Sequence, residues 1–322
     1  MERWKGRVAL VTGASVGIGA AVARVLVQHG MKVVGCARSV DKIEKLAAEC
    51  QSAGYPGTLF PYKCDLSNEE EILSMFSAIK TLHQGVDVCI NNAGLARPEP
   101  LLSGKTEGWR TMIDVNVLAL SICTREAYQS MKERNIDDGH IININSVLGH
   151  IYQCAKQAHF YCATKHTVTA LTEAIRQELR ELKSHIRVTS ISPGLVETEF
   201  AYRCFENDPS IAATLYKSIK PSCLRVRKTS LGRKLPALLK HTRNWEISMS
   251  QENQVLVDSL ASIIKQAVIQ DFQEVSSSKE RPRCSHSRQI DLLSEIFGVS
   301  EVLLHQRDWV FFSSAQSSSK QQ

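Results

Sequence analysis

Along residues 8–192, short apolar runs alternate with longer stretches whose apolar positions recur every three to four residues. The runs Val8–Thr12, Lys32–Cys36, Thr58–Lys63, Val86–Asn91, His140–Asn145 and Ile186–Ser192 read as strands. Gly17–His29, Asp41–Ala53, Asn68–Lys80, Trp109–Arg134 and Phe160–Leu182 read as helices, with Gly30 and Gly54 closing the first two. The strand runs are apolar almost throughout, as expected of strands buried on both faces of a parallel sheet. Six such alternations predict an α/β fold, a doubly wound parallel sheet (Rossmann fold) with right-handed crossovers.

The pattern changes after about residue 220. Pro221–Lys240 is basic and unlike a strand core. One amphipathic helix is expected over Glu252–Phe272, with Val255, Leu256, Leu260, Ile263, Ile264, Ala267 and Val268 on one face. Apolar patches follow at Ile290–Phe297 and Val302–Phe312, and Ser313–Gln322 is expected to be disordered. The organisation predicted is a single dinucleotide-binding and catalytic domain over 1–220. An atypical, partly helical, serine-rich tail follows over 221–322.

Composition narrows the function classes. The chain of 322 residues is 43% apolar and 22% charged, which excludes full disorder and a small disulfide scaffold. The net charge of +6 is mild, its basic residues are scattered, and no aromatics interleave with them, so no nucleic-acid partner is expected. No apolar run approaches the roughly 18 residues that span a bilayer, and the N-terminus lacks a signal-peptide core, so a cytoplasmic protein is expected. The ten cysteines show no C-x-x-C spacing, which points to buried reduced thiols rather than a metal site or a disulfide framework.

The chemistry sits at the ends of the predicted strands. Thr12-Gly13-Ala14-Ser15-Val16-Gly17-Ile18-Gly19 joins strand one to helix one. Its glycines permit a sharp turn and close approach to a pyrophosphate, and the helix N-terminus offers unpaired N–H groups. Strand two ends in Arg38-Ser39 without the acidic residue that binds a ribose 2′-hydroxyl, so a 2′-phosphate, and hence NADP(H), is favoured over NAD; a solvated surface Arg38 is the plainer alternative. Asp65-Leu66 after strand three is placed to meet adenine, with a turn or cap role for Asp65 as the alternative. Asn91-Asn92-Ala93-Gly94 after strand four lets the chain pass close to the cofactor.

The catalytic candidates are Ser146, at the end of strand five, with Tyr161 and Lys165 four residues apart on one helix face. The lysine ammonium and the cofactor's charge are expected to lower the pKa of the phenol from its reference near ~10. Ser146 donates to the substrate oxygen, and Asn116 is a candidate to hold a proton-relaying water next to Lys165. Substrate contacts are therefore expected from Ser146 and Tyr161, and no metal is called for. A chance Tyr-x-x-x-Lys pair on an exposed helix is the competing reading.

Taken in order, Thr12–Gly19, Asn91–Gly94, Asn116, Ser146, Tyr161, Lys165 and Pro193-Gly194 resemble the short-chain dehydrogenase/reductase family over about residues 5–220. The resemblance implies NADP(H) contacts from Gly13, Ala14, Ser15, Val16, Gly17, Ile18, Arg38, Ser39, Glu44, Asp65, Leu66, Asn92, Tyr161, Lys165, Val196, Glu197, Thr198 and Glu199. It also implies reduction of a ketone, in particular of 17-keto or 3-keto steroids, with Tyr161 as acid, and a possible homo-oligomer built on the long helices. The family's last parallel strand is not visible after residue 220, so the sheet edge is expected to lack it. Its loss would expose large apolar side chains, each worth roughly 1.5–3 kcal/mol of burial. This leaves a second reading, a catalytically inactive or unstable NADP-binding variant.

Overall fold

The computed structural model describes residues 1–152, 155–205, 208–217 and 246–248. Its strands are β1 (Val8–Thr12), β2 (Lys32–Ala37), β3 (Thr58–Lys63), β4 (Val88–Asn91), β5 (His140–Ile144), β6 (Arg187–Ser192) and β7 (Glu246–Ser248). All pair in parallel, in the order β3-β2-β1-β4-β5-β6-β7. The order reverses between β1 and β4, and ligands of open α/β sheets bind outside the strand C-termini at such a reversal.

The helices are α1 (Gly17–Gln28), α2 (Val40–Ser52), α3 (Glu69–His83), α4 (Thr106–Ile113), α5 (Ala119–Glu133), α6 (His159–Glu181), α7 (Glu199–Cys204) and α8 (Pro209–Lys217). They cover both faces of the sheet. Ala9, Val11, Val33, Ile90 and Ile142 pack with Val22, Leu26, Ile43 and Leu46 of α1 and α2. Leu10, Val34, Cys89 and Ile141 pack with Ile72, Met75, Ala127 and Met131 of α3 and α5. This two-sided burial is why the strands read as unbroken apolar runs.

Two expectations are corrected. The helix expected over Trp109–Arg134 is interrupted: a π-helical turn, Asp114–Leu118, separates α4 from α5. Such turns insert one residue into the helical repeat and recur at functional sites; here the inserted turn carries Asn116. Second, the sheet edge beyond β6 is not bare. Glu246, Ile247 and Ser248 pair with Ser190, Ile191 and Ser192. The segment has three residues and one apolar position, too little to register as a strand in a hydropathy pattern.

The chain divides into two units, Met1–Val257 and Asp258–Gln322. The helix expected over 252–272, the apolar patches and the serine-rich tail lie outside the described residues.

Candidate active site

The glycine turn after β1 is held in shape from below. Gly13 and Gly17 have φ of +64° and +61°, in the left-handed region that side chains disfavour. At Gly19 the demand is spatial: a Cβ there would stand 2.3 Å from the Gly13 carbonyl oxygen and 2.5 Å from Asn92 Nδ2. Asn92 Nδ2 donates to the carbonyls of Thr12 (2.8 Å) and Gly13 (3.2 Å), and Thr12 Oγ1 accepts from the N–H groups of Asn92 (2.9 Å) and Ala93 (3.0 Å). Asn92 thus fastens the turn to the segment after β4. Ala14 is buried, with its N–H on the Cys36 carbonyl at 3.1 Å, whereas Ser15, Val16 and Ile18 remain partly open. No acidic residue occupies the first turn of α1, so its positive end is left for an anion.

The candidates at the adenosine end are looser. Arg38 is exposed just past β2, and Ser39 takes the N-cap position of α2 without spending its hydroxyl on the helix. Glu44 stands exposed in the second turn of α2. The Asp65 carboxylate accepts from Ser67 N (3.0 Å) and Ser67 Oγ (2.8 Å). Partial burial pushes its pKa up, but the Ser67 hydrogen bonds and the charge of Arg38 outweigh this and leave it below the ordinary value. Asp65 is therefore a turn residue in the field of Arg38, and the adjacent Leu66 is buried.

A third segment crosses over the glycine turn. The methyl of Thr198 lies 3.4 Å from where a Gly17 Cβ would be. Val196 is buried, Glu197 is exposed, and Thr198 caps α7 by accepting from Phe200 N at 3.2 Å. Glu199 faces Arg203 (2.7 Å) and Lys42 of α2 (3.7 Å); the Arg203 hydrogen bond is the main reason its pKa is lowered. Tyr216 of α8 completes the anchor, donating to the Thr198 carbonyl at 3.0 Å. Neither Lys42 nor Tyr216 was singled out from the sequence; their partners lie 157 and 18 residues away in the chain, beyond any local pattern.

The catalytic candidates converge. Ser146 follows β5 and its Oγ accepts from Leu148 N at 3.2 Å, capping a 3-10 turn, Val147–Gly149. Its hydroxyl also hydrogen-bonds the phenol of Tyr161, in the first turn of α6. Tyr161 and Lys165 are buried, and Lys165 Nζ lies 5.8 Å from the Tyr161 ring centroid. Nζ donates to the Ile144 carbonyl at 2.9 Å. Burial lowers the Lys165 pKa from 10.5 to about 8.

The expected depression of the Tyr161 pKa is reversed. Burial dominates and raises it, because the phenolate loses its hydration; the Ser146 hydrogen bond works against this without overcoming it. Asn116 sits in the π-helical turn between α4 and α5. Its Oδ1 accepts from Leu95 N (2.9 Å), and its Nδ2 donates to Leu95 O (2.8 Å) and Thr164 Oγ1 (3.1 Å). Both amide atoms bond protein, and Oδ1 keeps a second lone pair. Asn116 Oδ1 and Lys165 Nζ flank the place a Gly94 Cβ would take, at 3.4 and 3.7 Å, so Gly94 keeps both within reach of one small space. Phe200 leans on the Tyr161 ring (centroids 5.7 Å apart), and Ile151 and Tyr152 are exposed beyond Ser146, giving this end an apolar rim. No group of three metal-ligating side chains occurs among the described residues.

The residues present fit a dinucleotide: a glycine cradle that a single Cβ would fill, an uncompensated helix N-terminus, and Arg38 at the far end. Residues 7–209 match the family model described as short chain dehydrogenase, and the chain belongs to the short-chain dehydrogenase/reductase family. It is 83% identical over 225 residues to "Dehydrogenase/reductase SDR family member 11" of Gallus gallus, covering 70% of this chain and 88% of that protein. It is 44% identical over 241 residues to "Farnesol dehydrogenase" of Aedes aegypti, covering 72% and 97%. Among solved structures it resembles the closed form of serine dehydrogenase complexed with NADP+, with TM-score 0.67 and 31% identity over 75% of this chain and 94% of that one.

Proposed function

We propose that the protein is an NADP(H)-dependent oxidoreductase that interconverts a ketone and a secondary alcohol. The carrying observation is the Ser146–Tyr161–Lys165 group, with Tyr161 and Lys165 buried and Ser146 half-buried. NADPH supplies the hydride that the carbonyl carbon receives. Tyr161, protonated at neutral pH, transfers its hydroxyl proton to the carbonyl oxygen as the hydride raises that oxygen's basicity. The Ser146 hydroxyl donates a second hydrogen bond to that oxygen as negative charge grows on it. Lys165, with a pKa near 8, returns a proton to the phenolate and holds the ribose hydroxyls. Asn116 fixes Leu95 and Thr164 around the group. Arg38 and Ser39 receive the 2′-phosphate; Gly13, Ala14, Ser15, Val16, Gly17 and Ile18 take the pyrophosphate side. Asp65, Leu66, Asn92, Val196, Glu197, Thr198 and Glu199, with Glu44 further out, complete the cofactor cleft.

For the substrate we infer a 17-keto or 3-keto steroid, supported by the family resemblance and by the apolar rim of Ile151, Tyr152 and Phe200. A cytoplasmic setting accords with the free thiols of the seven described cysteines. A homo-oligomer would use the exposed Ile113 and Leu118 beside α4 and α5. NADPH consumption by the full chain against keto-steroids and small diketones tests the assignment: turnover of at least one ketone is expected, and none with any of them overturns it.

A second reading has its own support, since 30% of the chain lies outside the match to the Gallus gallus relative. In it residues 221–322 form a distinct tail, and the protein binds NADP without turning substrate over. Melting separates the two. NADPH at ~100 times its Kd adds about 2.7 kcal/mol of stability in either case, but ketone turnover accompanies it only in the first.

A further inference from the structure

We propose that Thr164 is a positioning residue of this site, tying the backbone of Tyr161 to the amide of Asn116 through one hydroxyl. The inference rests on the oxidoreductase reading. Thr164 is fully buried on α6. Its Oγ1 donates to the Tyr161 carbonyl at 2.7 Å and accepts from Asn116 Nδ2 at 3.1 Å. A hydroxyl has a single proton; it is spent on Tyr161, which leaves a lone pair aimed at Asn116. Asn116 in turn grips both backbone groups of Leu95. Two segments meet at this one oxygen, the catalytic helix and the π-helical turn, and Asn116 links them on to the loop after β4. The first carries the acid, and the last borders the space beside Gly94 that Lys165 and Asn116 flank.

The same helix holds an internal control. Thr172 Oγ1 donates to the Val168 carbonyl at 2.7 Å and accepts from Asn143 Nδ2 at 2.9 Å. Its chemistry matches that of Thr164: a back-bond to the preceding turn and an asparagine amide held at the oxygen. Its partners, however, are Val168 of α6 and Asn143 of β5, and among the described residues neither bonds the side chain of Tyr161, Lys165 or Asn116. Valine replaces either threonine at nearly the same volume and removes only the hydroxyl, so the two variants carry a comparable structural penalty.

The test compares the full-length protein with Thr164→Val, Thr164→Ser and Thr172→Val. Thr164→Val is expected to lower kcat about tenfold, since small displacements of an acid are costly, with KM for NADPH nearly unchanged. In alcohol oxidation, the acidic limb of the pH profile moves to higher pH as the phenolate loses its placed ammonium. Cys162 on α6 and Cys204 on α7 act on this phenol, and Lys165 Nζ of α6 lies 5.8 Å from its ring; Thr164→Val changes the identity of none of them. Thr164→Ser restores kcat. Thr172→Val melts earlier but keeps its kcat and pH limb. A kcat for Thr164→Val no lower than that of Thr172→Val overturns the inference. Should Thr164→Val not fold, Thr164→Ala takes its place in the same comparison.

If the wild type shows no turnover, the reductase reading falls, and tyrosinate absorbance judges Thr164 separately. Subtracting the titration of Tyr161→Phe isolates the phenol of Tyr161. A midpoint moved by Thr164→Val supports the tie; an unmoved one refutes it.

Discussion

The two ends of the cleft are built differently. At the adenosine end Arg38, Glu44 and Glu199 are exposed and Lys42 is half-buried, and the contacts of Glu199 with Arg203 and Lys42 are surface ion pairs open to solvent. At the catalytic end Tyr161, Lys165, Asn116 and Thr164 are each less than a tenth exposed and linked by short hydrogen bonds. The lesson concerns what each end can do. Exposed charge tunes affinity and cofactor choice at modest energetic cost, because water screens it. Burial moves proton affinities, raising that of the phenol and lowering that of the amine, and the second shift brings a proton donor toward the neutral range in which proton transfer works best.

That contrast can be broken first at the buried end. Tyr161→Phe removes the transferable proton and is expected to cut kcat by about 10³-fold, with the NADPH-induced rise in melting temperature retained. Turnover at the wild-type rate would remove Tyr161 as the acid. The next effect is on stability. Lys165 has a folded pKa near 8, below the 10.5 it has when exposed. Between these values the unfolded chain binds more protons, so stability rises with pH across this window. Below pH 8 the full cost of burying the ammonium applies, about 3 kcal/mol at 1.36 kcal/mol per pH unit. Urea unfolding at pH 7.5 and pH 10 should therefore show a gain at the higher pH that Lys165→Met lacks; equal pH dependence in the two proteins would contradict the burial argument.

Smaller effects are expected at the exposed end. Arg38→Ala should raise KM for NADPH by about 10–30-fold, the value of a charge-assisted hydrogen bond, with kcat unchanged and NADH less affected. Equal losses for both cofactors would place Arg38 away from a 2′-phosphate. The smallest effect lies where the two ends join. Tyr216→Phe removes the hydroxyl that fastens Thr198; about 1 kcal/mol of stability is expected to go with it, read as a lower denaturant midpoint, together with a slight rise in KM for NADPH.

Legibility in the sequence followed the same division. The glycine turn, Ser146, Tyr161 and Lys165 could be recognised because their spacing is set within one strand-turn-helix unit. Asn116 was recognised as a residue but its protein partners were not, since Leu95 and Thr164 reach it from 21 and 48 residues away. The direction of the Tyr161 pKa was misjudged for a related reason. Counting the neighbouring ammonium requires only a spacing of four, whereas burial depends on everything that packs around the ring. β7 escaped notice because its place in the sheet comes from pairing with β6 and not from its own hydropathy.

By itself, the order of residues determined the parallel α/β architecture, the glycine turn after β1 and which residues stand as candidates for the chemistry, because these depend on periodicity and on glycine's freedom at left-handed positions. Only the tertiary structure decided that the Tyr161 pKa is raised and the Lys165 pKa lowered, that the asparagine amide bonds Leu95 and Thr164, and that Tyr216 anchors the segment over the glycine turn. Those properties are set by burial and by contacts between distant segments, and neither exists until the chain has folded.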